Sequence, residues 1–187
     1  MKKTTTIKLV MTALFMALTM VGTMFITVPL PTGYANLGDA FVLIAVFVLG
    51  PFWGTIAGGV GSGLADLFGW ITYAPGTLII KSLMAITAYF IYIALKKSTK
   101  KEMLAQIIAG AVGAVVMAVG YFIYETIFFV TAGVAIVSLP YNLMQGSLGV
   151  AVAVMVMRVL KATKIFEKLD KTNNANITEG YEKEIVN

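Results

Sequence analysis

Long charge-free apolar runs dominate the chain, and Pro, Gly and charged residues divide them into spans near 9–28, 37–50, 52–69, 75–95, 103–130 and 140–162. A helix rises ~1.5 Å per residue, so ~20 residues cross the hydrocarbon core of a bilayer. The second span, 37–50, falls short of that length and is expected to be tilted, shielded by its neighbours or partly irregular. Period-two alternation is missing and the third span is rich in glycine, which argues against a strand barrel. The pattern predicts an all-α integral membrane protein, a compact bundle of six transmembrane helices over residues 1–164. Past Lys164 the chain turns polar and is predicted as a cytoplasmic tail, 165–187.

Composition agrees. With 59% hydrophobic residues in 187, the chain is too apolar to hide them inside a soluble globule. Its first run, Leu9 to Leu30, follows Lys2, Lys3 and Lys8 and exceeds the ~7–15-residue core of a secretory signal, so it is predicted to be a retained helix. Cysteine and histidine are both absent, which removes disulfides, thiolate nucleophiles and imidazole ligation of haem or zinc. Neither a metal nor another cofactor is expected.

The net charge of +5 does not point to nucleic acid, because every Lys and Arg except Lys81 lies at the N-terminus, in the 96–101 loop or from Arg158 onward. Basic clusters beside apolar spans mark cytoplasmic segments. Six spans place both termini on that side and leave 29–38, 69–75 and 131–139 as the opposite loops. None of these carries a charge; they hold turn formers and interfacial aromatics such as Pro29, Tyr34, Asn36, Trp70 and Tyr73. The sequon at Asn176 falls on the cytoplasmic side and is discounted.

Ionisable groups inside spans are expensive and mark candidate sites. Four occur: Asp39 opening span two, Asp66 closing span three, Lys81 about two turns into span four and Glu125 about one turn from the end of span five. All four fall at the outer level, joined by Tyr121, Tyr124, Tyr141, Asn142 and Gln145, while the inner halves of the helices stay apolar. This is the form of a pocket opening outward. A channel or proton relay would spread polar groups through the full thickness. A structural alternative is that Lys81 pairs with Glu125 or Asp66 to neutralise buried charge; Asp66 is equally readable as structural or functional. Three acids against one base favour a neutral or cationic ligand, and a small aromatic heterocycle with hydroxyl or amine groups suits the tyrosines, amides and carboxylates. Small residues at four-residue spacing, among them Ala13 and Ala17, Gly54 and Gly58, Ala109 and Gly113, allow close helix approach.

The ordered series Ala13-Leu-Phe-Met-Ala17, Tyr34-Ala-Asn-Leu-Gly-Asp39, Leu49-Gly-Pro-Phe-Trp-Gly54, Gly58-Gly-Val-Gly-Ser-Gly-Leu-Ala-Asp66 and Tyr73-Ala-Pro-Gly-Thr-Leu-Ile-Ile-Lys81 resembles the substrate-binding (S) components of prokaryotic energy-coupling factor (ECF) vitamin transporters, over residues 8–163. The resemblance implies a plasma-membrane, multi-pass protein that captures a vitamin or precursor under a lid between helices one and two. It then docks on a transmembrane coupling protein driven by two ATPase subunits, dedicated or shared, and topples in the membrane to release its cargo. ATP hydrolysis is expected only in those partners, and no GxxxxGK[ST] phosphate loop occurs in this chain. Carried over by position, Ala13 and Ala17 form the coupling face; Tyr34, Asn36 and Asp39 the lid and rim; Lys81, Glu125, Asn142 and Gln145 the pocket, with Tyr73 and Tyr121 beside them. Within the family the motifs most resemble the hydroxymethylpyrimidine and pyridoxine branch, with riboflavin, thiamine, pantothenate and folate as alternatives. Two readings from other classes are a membrane-embedded enzyme using Asp39, Glu125 and Lys81, and a stand-alone channel or proton-coupled carrier.

Overall fold

The computed structural model describes residues 3–30, 33–99 and 101–163. In chain order these form α1 (Lys3–Met24), β1 (Thr27–Leu30), β2 (Gly33–Asn36), α2 (Gly38–Gly69), α3 (Ala74–Thr99), α4 (Glu102–Phe128), the single turn α5 (Ala132–Ala135) and α6 (Ser138–Ala162). Five stretches are long and apolar enough to cross a membrane: Thr5–Met24, Gly38–Gly69, Ala74–Ser98, Glu102–Phe128 and Ala132–Ala162. The chain divides into two units, Met1–Val154 and Met155–Asn187, the second being the end of α6 and the residues after it. The predicted tail at 165–187 lies outside the described residues.

Spans two and three are joined without a loop: α2 breaks at Gly50, where the sequence places the boundary between them. Gly50 has φ +84 and ψ −176, a region essentially reserved for glycine, and Pro51 opens the second half, where its missing N–H is no loss. The break folds the two halves back on each other. A Cβ on Gly54 would lie 2.4 Å from Val46 Cα, and one on Gly58 would lie 2.8 Å from Val42 Cγ1, although each pair is too far apart in sequence to touch along a straight helix. Gly50 is therefore required by conformation and Gly54 by space. The short first half is shielded, as one of the expectations for it held: Ala40 and Val42 through Val46 are all buried.

The loop predicted at 29–38 contains an antiparallel hairpin, with Thr27 opposite Asn36 and Val28 opposite Ala35. It is the one sheet among the described residues. At 131–139 the expected loop carries α5. Elsewhere small residues set the packing distances: Gly61 meets the Met16 carbonyl of α1, Gly113 meets Met84 and Ala88 of α3, and Gly146 meets Ala114 of α4. Far from the hairpin, the Tyr92 hydroxyl donates to Glu102 Oε1 at 2.8 Å and accepts from Lys96 Nζ at 3.2 Å, tying the end of α3 to the start of α4.

Candidate functional site

The N-terminal turns of α2, α3 and α6 and the C-terminal turns of α1 and α4 meet at one end of the first unit, where β1 and β2 also lie. Three close approaches bring the backbones together. A Cβ on Gly149 of α6 would stand 2.7 Å from Asp39 Cβ, so α6 lies almost directly on the first turn of α2 and presents Gln145 to it. A Cβ on Gly38 would stand 2.0 Å from Thr23 Oγ1, which seats α2 against α1. A Cβ on Gly76 would stand 2.6 Å from the Tyr124 ring, whose hydroxyl donates to the Thr72 carbonyl at 2.7 Å.

Lys81 is 2% exposed and Asp39 fully buried, and Lys81 Nζ pairs with Asp39 Oδ1. Neither of the partners expected for Lys81, Glu125 or Asp66, takes it. The pairing is decided by which faces of α2 and α3 meet, and Asp39, in the first turn of α2, also lies where the helix macrodipole favours a negative charge. Lys81 Nζ donates further to Met117 Sδ at 2.8 Å and sits 5.5 Å from the centre of the Tyr121 ring. Gln145 completes the arrangement: its Nε2 donates to Asp39 Oδ2 at 2.8 Å while its Oε1 accepts from the Asn36 N–H at 3.0 Å. One amide thus connects the hairpin, the buried ion pair and α6, and both of its ends are committed.

A second chain of bonds runs along the facing wall. Thr77 Oγ1 donates to Asp66 Oδ2 at 2.5 Å, and because it has a single proton, the Tyr121 hydroxyl 2.9 Å away must donate to it. Asp66 therefore orients Thr77, and Thr77 orients Tyr121. Tyr73 Oη lies 3.5 Å from Glu125 Oε1. Burial, and then the Glu125 carboxylate, push the Tyr73 hydroxyl up to about 12, so it is a donor throughout the neutral range. Tyr73 also stacks on Phe129, with ring centres 5.0 Å apart and planes at 25°. Glu125 is 6% exposed and has no cationic partner among the described residues.

These walls line a cavity with an open mouth. Of the sequence-predicted residues, Asn36, Asp66, Tyr73, Lys81, Tyr121, Glu125, Tyr141, Asn142 and Gln145 line it. Asp39 does not: predicted at the rim, it stands behind the wall and fixes Lys81 and Gln145. Tyr34 lies on β2, and its side chain is outside the described residues. Sequence reasoning left out Thr23, Thr77 and Ser138, three hydroxyls that also line the cavity, and treated Trp70 as a membrane-interface residue although it contributes to the wall. Periodicity along α1 could have found Thr23, since Thr12, Phe15, Thr19, Gly22 and Thr23 recur at helical spacing and all are buried. The candidates Ala13 and Ala17 are exposed, on a stripe with Val10, Leu14, Leu18 and Val21. No group of three acidic or other ligating side chains that could hold a metal occurs among the described residues.

The family model described as "ECF-type riboflavin transporter, S component" matches residues 3–162, nearly the whole described chain. The chain belongs to that family. It is a membrane-integral, multi-pass transport component, not an enzyme, which removes the reading of Asp39, Glu125 and Lys81 as catalytic. A solved S component of a bacterial ECF transporter superposes with a TM-score of 0.67 over 86% of this chain and 99% of its own, at 23% identity, so the two share a fold. An uncharacterised protein from the gap 3′ region of Pyrococcus woesei is 36% identical over 104 residues, 54% of this chain and 66% of its own length. In the S component the long helices carry a polar cavity at one end, and at the other the Tyr92, Lys96 and Glu102 contacts join α3 to α4.

Proposed function

We propose that this S component binds riboflavin, or a closely related flavin, in the cavity between α1, α3, α4 and α6, and passes it to a transmembrane coupling protein powered by partner ATPases. The family match over residues 3–162 carries this reading. The chemistry of the cavity supports it. Riboflavin joins a flat, uncharged tricyclic ring with a carbonyl and imide edge to a chain of hydroxyls. The wall offers aromatic faces at Trp70, Tyr73 and Tyr121, an amide at Asn142, and carboxylate and hydroxyl groups at Glu125 and Ser138. The Lys81–Asp39 pair leaves no net positive charge to draw an anion, and Glu125 disfavours one. That balance sets folate and pantothenate below riboflavin. Single-ring ligands such as hydroxymethylpyrimidine or pyridoxine, which the sequence motifs favour, would use the same amide at Asn142.

In this reading the two halves of α2 are separate passes, which makes six, with the basic segments cytoplasmic and the cavity facing outward. The hairpin of β1 and β2 serves as lid, held by the bond from the Asn36 N–H to Gln145. Ala13 and Ala17, small and exposed, form the coupling face. Native mass spectrometry of the purified chain tests the ligand: a retained flavin is expected, and a retained pyrimidine or pyridine vitamin would move the substrate assignment. Ala13→Trp should abolish uptake by the assembled transporter while flavin binding persists; uptake that survives removes the coupling role of that face.

A further inference from the structure

Of the buried hydroxyls without a hydrogen-bond partner among the described residues, those of Thr19, Thr23, Thr55 and Ser62, only Thr23 lines the cavity. Thr23 is 2% exposed and lies near the end of α1. A helical threonine commonly returns its proton to the carbonyl one turn back, as Thr12 does to the Lys8 carbonyl at 2.7 Å. Thr23 does not. A hydroxyl removed from water and given no partner is unfavourable, and at the wall of a cavity a bound water or ligand is the group that can satisfy it.

None of the groups around Thr23 bonds its hydroxyl. Asn36 Oδ1, close by, accepts from the Gly38 N–H at 2.9 Å. Gln145 has both ends committed, to Asn36 and Asp39. Gly38 contributes no side chain where a Cβ would stand 2.0 Å from Thr23 Oγ1, so the absence of that carbon is what leaves room for the hydroxyl. On the same helix, Ala13 and Ala17 are exposed on a different face.

We infer that the Thr23 hydroxyl is a direct ligand contact that selects for a vitamin presenting a hydroxyl or carbonyl toward α1. The inference rests on the reading of the cavity as a vitamin site and adds a contact from the helix that also carries the proposed coupling face. Ligand occupancy then acts directly on α1, and not only on the hairpin.

Thr23→Val keeps the side-chain shape and removes the hydroxyl. Riboflavin affinity should fall about tenfold, the scale of one lost hydrogen bond in a desolvated site. The melting temperature of the ligand-free protein should hold or rise, because an unsatisfied buried group has gone. Thr23→Ser should keep affinity near that of the unaltered protein. Lumichrome, which has the ring system without the hydroxyl chain, locates the contact: a loss confined to riboflavin assigns Thr23 to the chain, and a loss shared by both assigns it to the ring. Unchanged riboflavin affinity in Thr23→Val overturns the inference. So does an equal loss of affinity in Thr23→Ser, which would mark a packing role. If the unaltered, folded protein binds no flavin or other B vitamin, the reading of the cavity fails and the inference goes with it.

Discussion

Two lysine–carboxylate pairs lie roughly 22 Å apart along α3, and they are built from the same chemistry in opposite settings. Lys96 and Glu102 are 49% and 25% exposed, 3.5 Å apart, and share the Tyr92 hydroxyl. Lys81 and Asp39 are 2% and 0% exposed, and every other group that touches them is part of the cavity wall or its support. The exposed pair is screened by solvent and contributes little beyond holding a loop. The buried pair carries a large desolvation cost that only mutual pairing and further hydrogen bonds offset. Retaining it at the bottom of a pocket is therefore a matter of placement: it orients Lys81 toward the cavity and Gln145 toward the hairpin.

Breaking the buried pair should have the largest effect. Lys81→Met or Asp39→Leu alone strands a charge in the core and should lower unfolding stability in detergent by about 3–5 kcal/mol. Combining the two removes both charges, and most of that stability should return while flavin binding does not. Recovery of binding in the double variant would reduce the pair to charge neutralisation. Next in size, Glu125→Gln should weaken flavin binding by about ten- to a hundredfold, the scale of a hydrogen bond to a charged group, with little change in melting temperature. The smallest effect belongs to the exposed pair: Lys96→Ala should cost less than about 1 kcal/mol and leave binding untouched. A loss of binding in that variant would mean that the two ends of α3 are coupled.

Much of this arrangement was legible in the chain before its structure. The apolar runs located the long helices, and Lys81, Glu125, Asn142 and Gln145, expected at one level, line one cavity. Lys81 stood out because a buried lysine is costly wherever it falls. Its partner was not legible, since Asp39, Asp66 and Glu125 all reach that level and only the rotation of each helix chooses among them. The interruption at Gly50-Pro51 was legible as the boundary between spans two and three, whereas the close packing of the two halves depends on the contacts of Gly54 and Gly58 with Val46 and Val42. The hairpin strands are each 4 residues long, too short for alternation to register, and one contains Pro29. Thr23 lies on the buried stripe that helical periodicity marks in α1, but that its hydroxyl lacks a partner is visible only in the structure.

The cavity beside Lys81 and Glu125 is proposed as a vitamin site that works without ATP. The most direct test is a titration of the purified chain with riboflavin, following quenching of flavin fluorescence in the absence of coupling protein and ATPases. The account predicts saturable binding of one flavin per chain, weakened by Glu125→Gln. A folded protein that leaves flavin fluorescence unchanged, or a Glu125→Gln variant that binds as tightly as the unaltered chain, would contradict it.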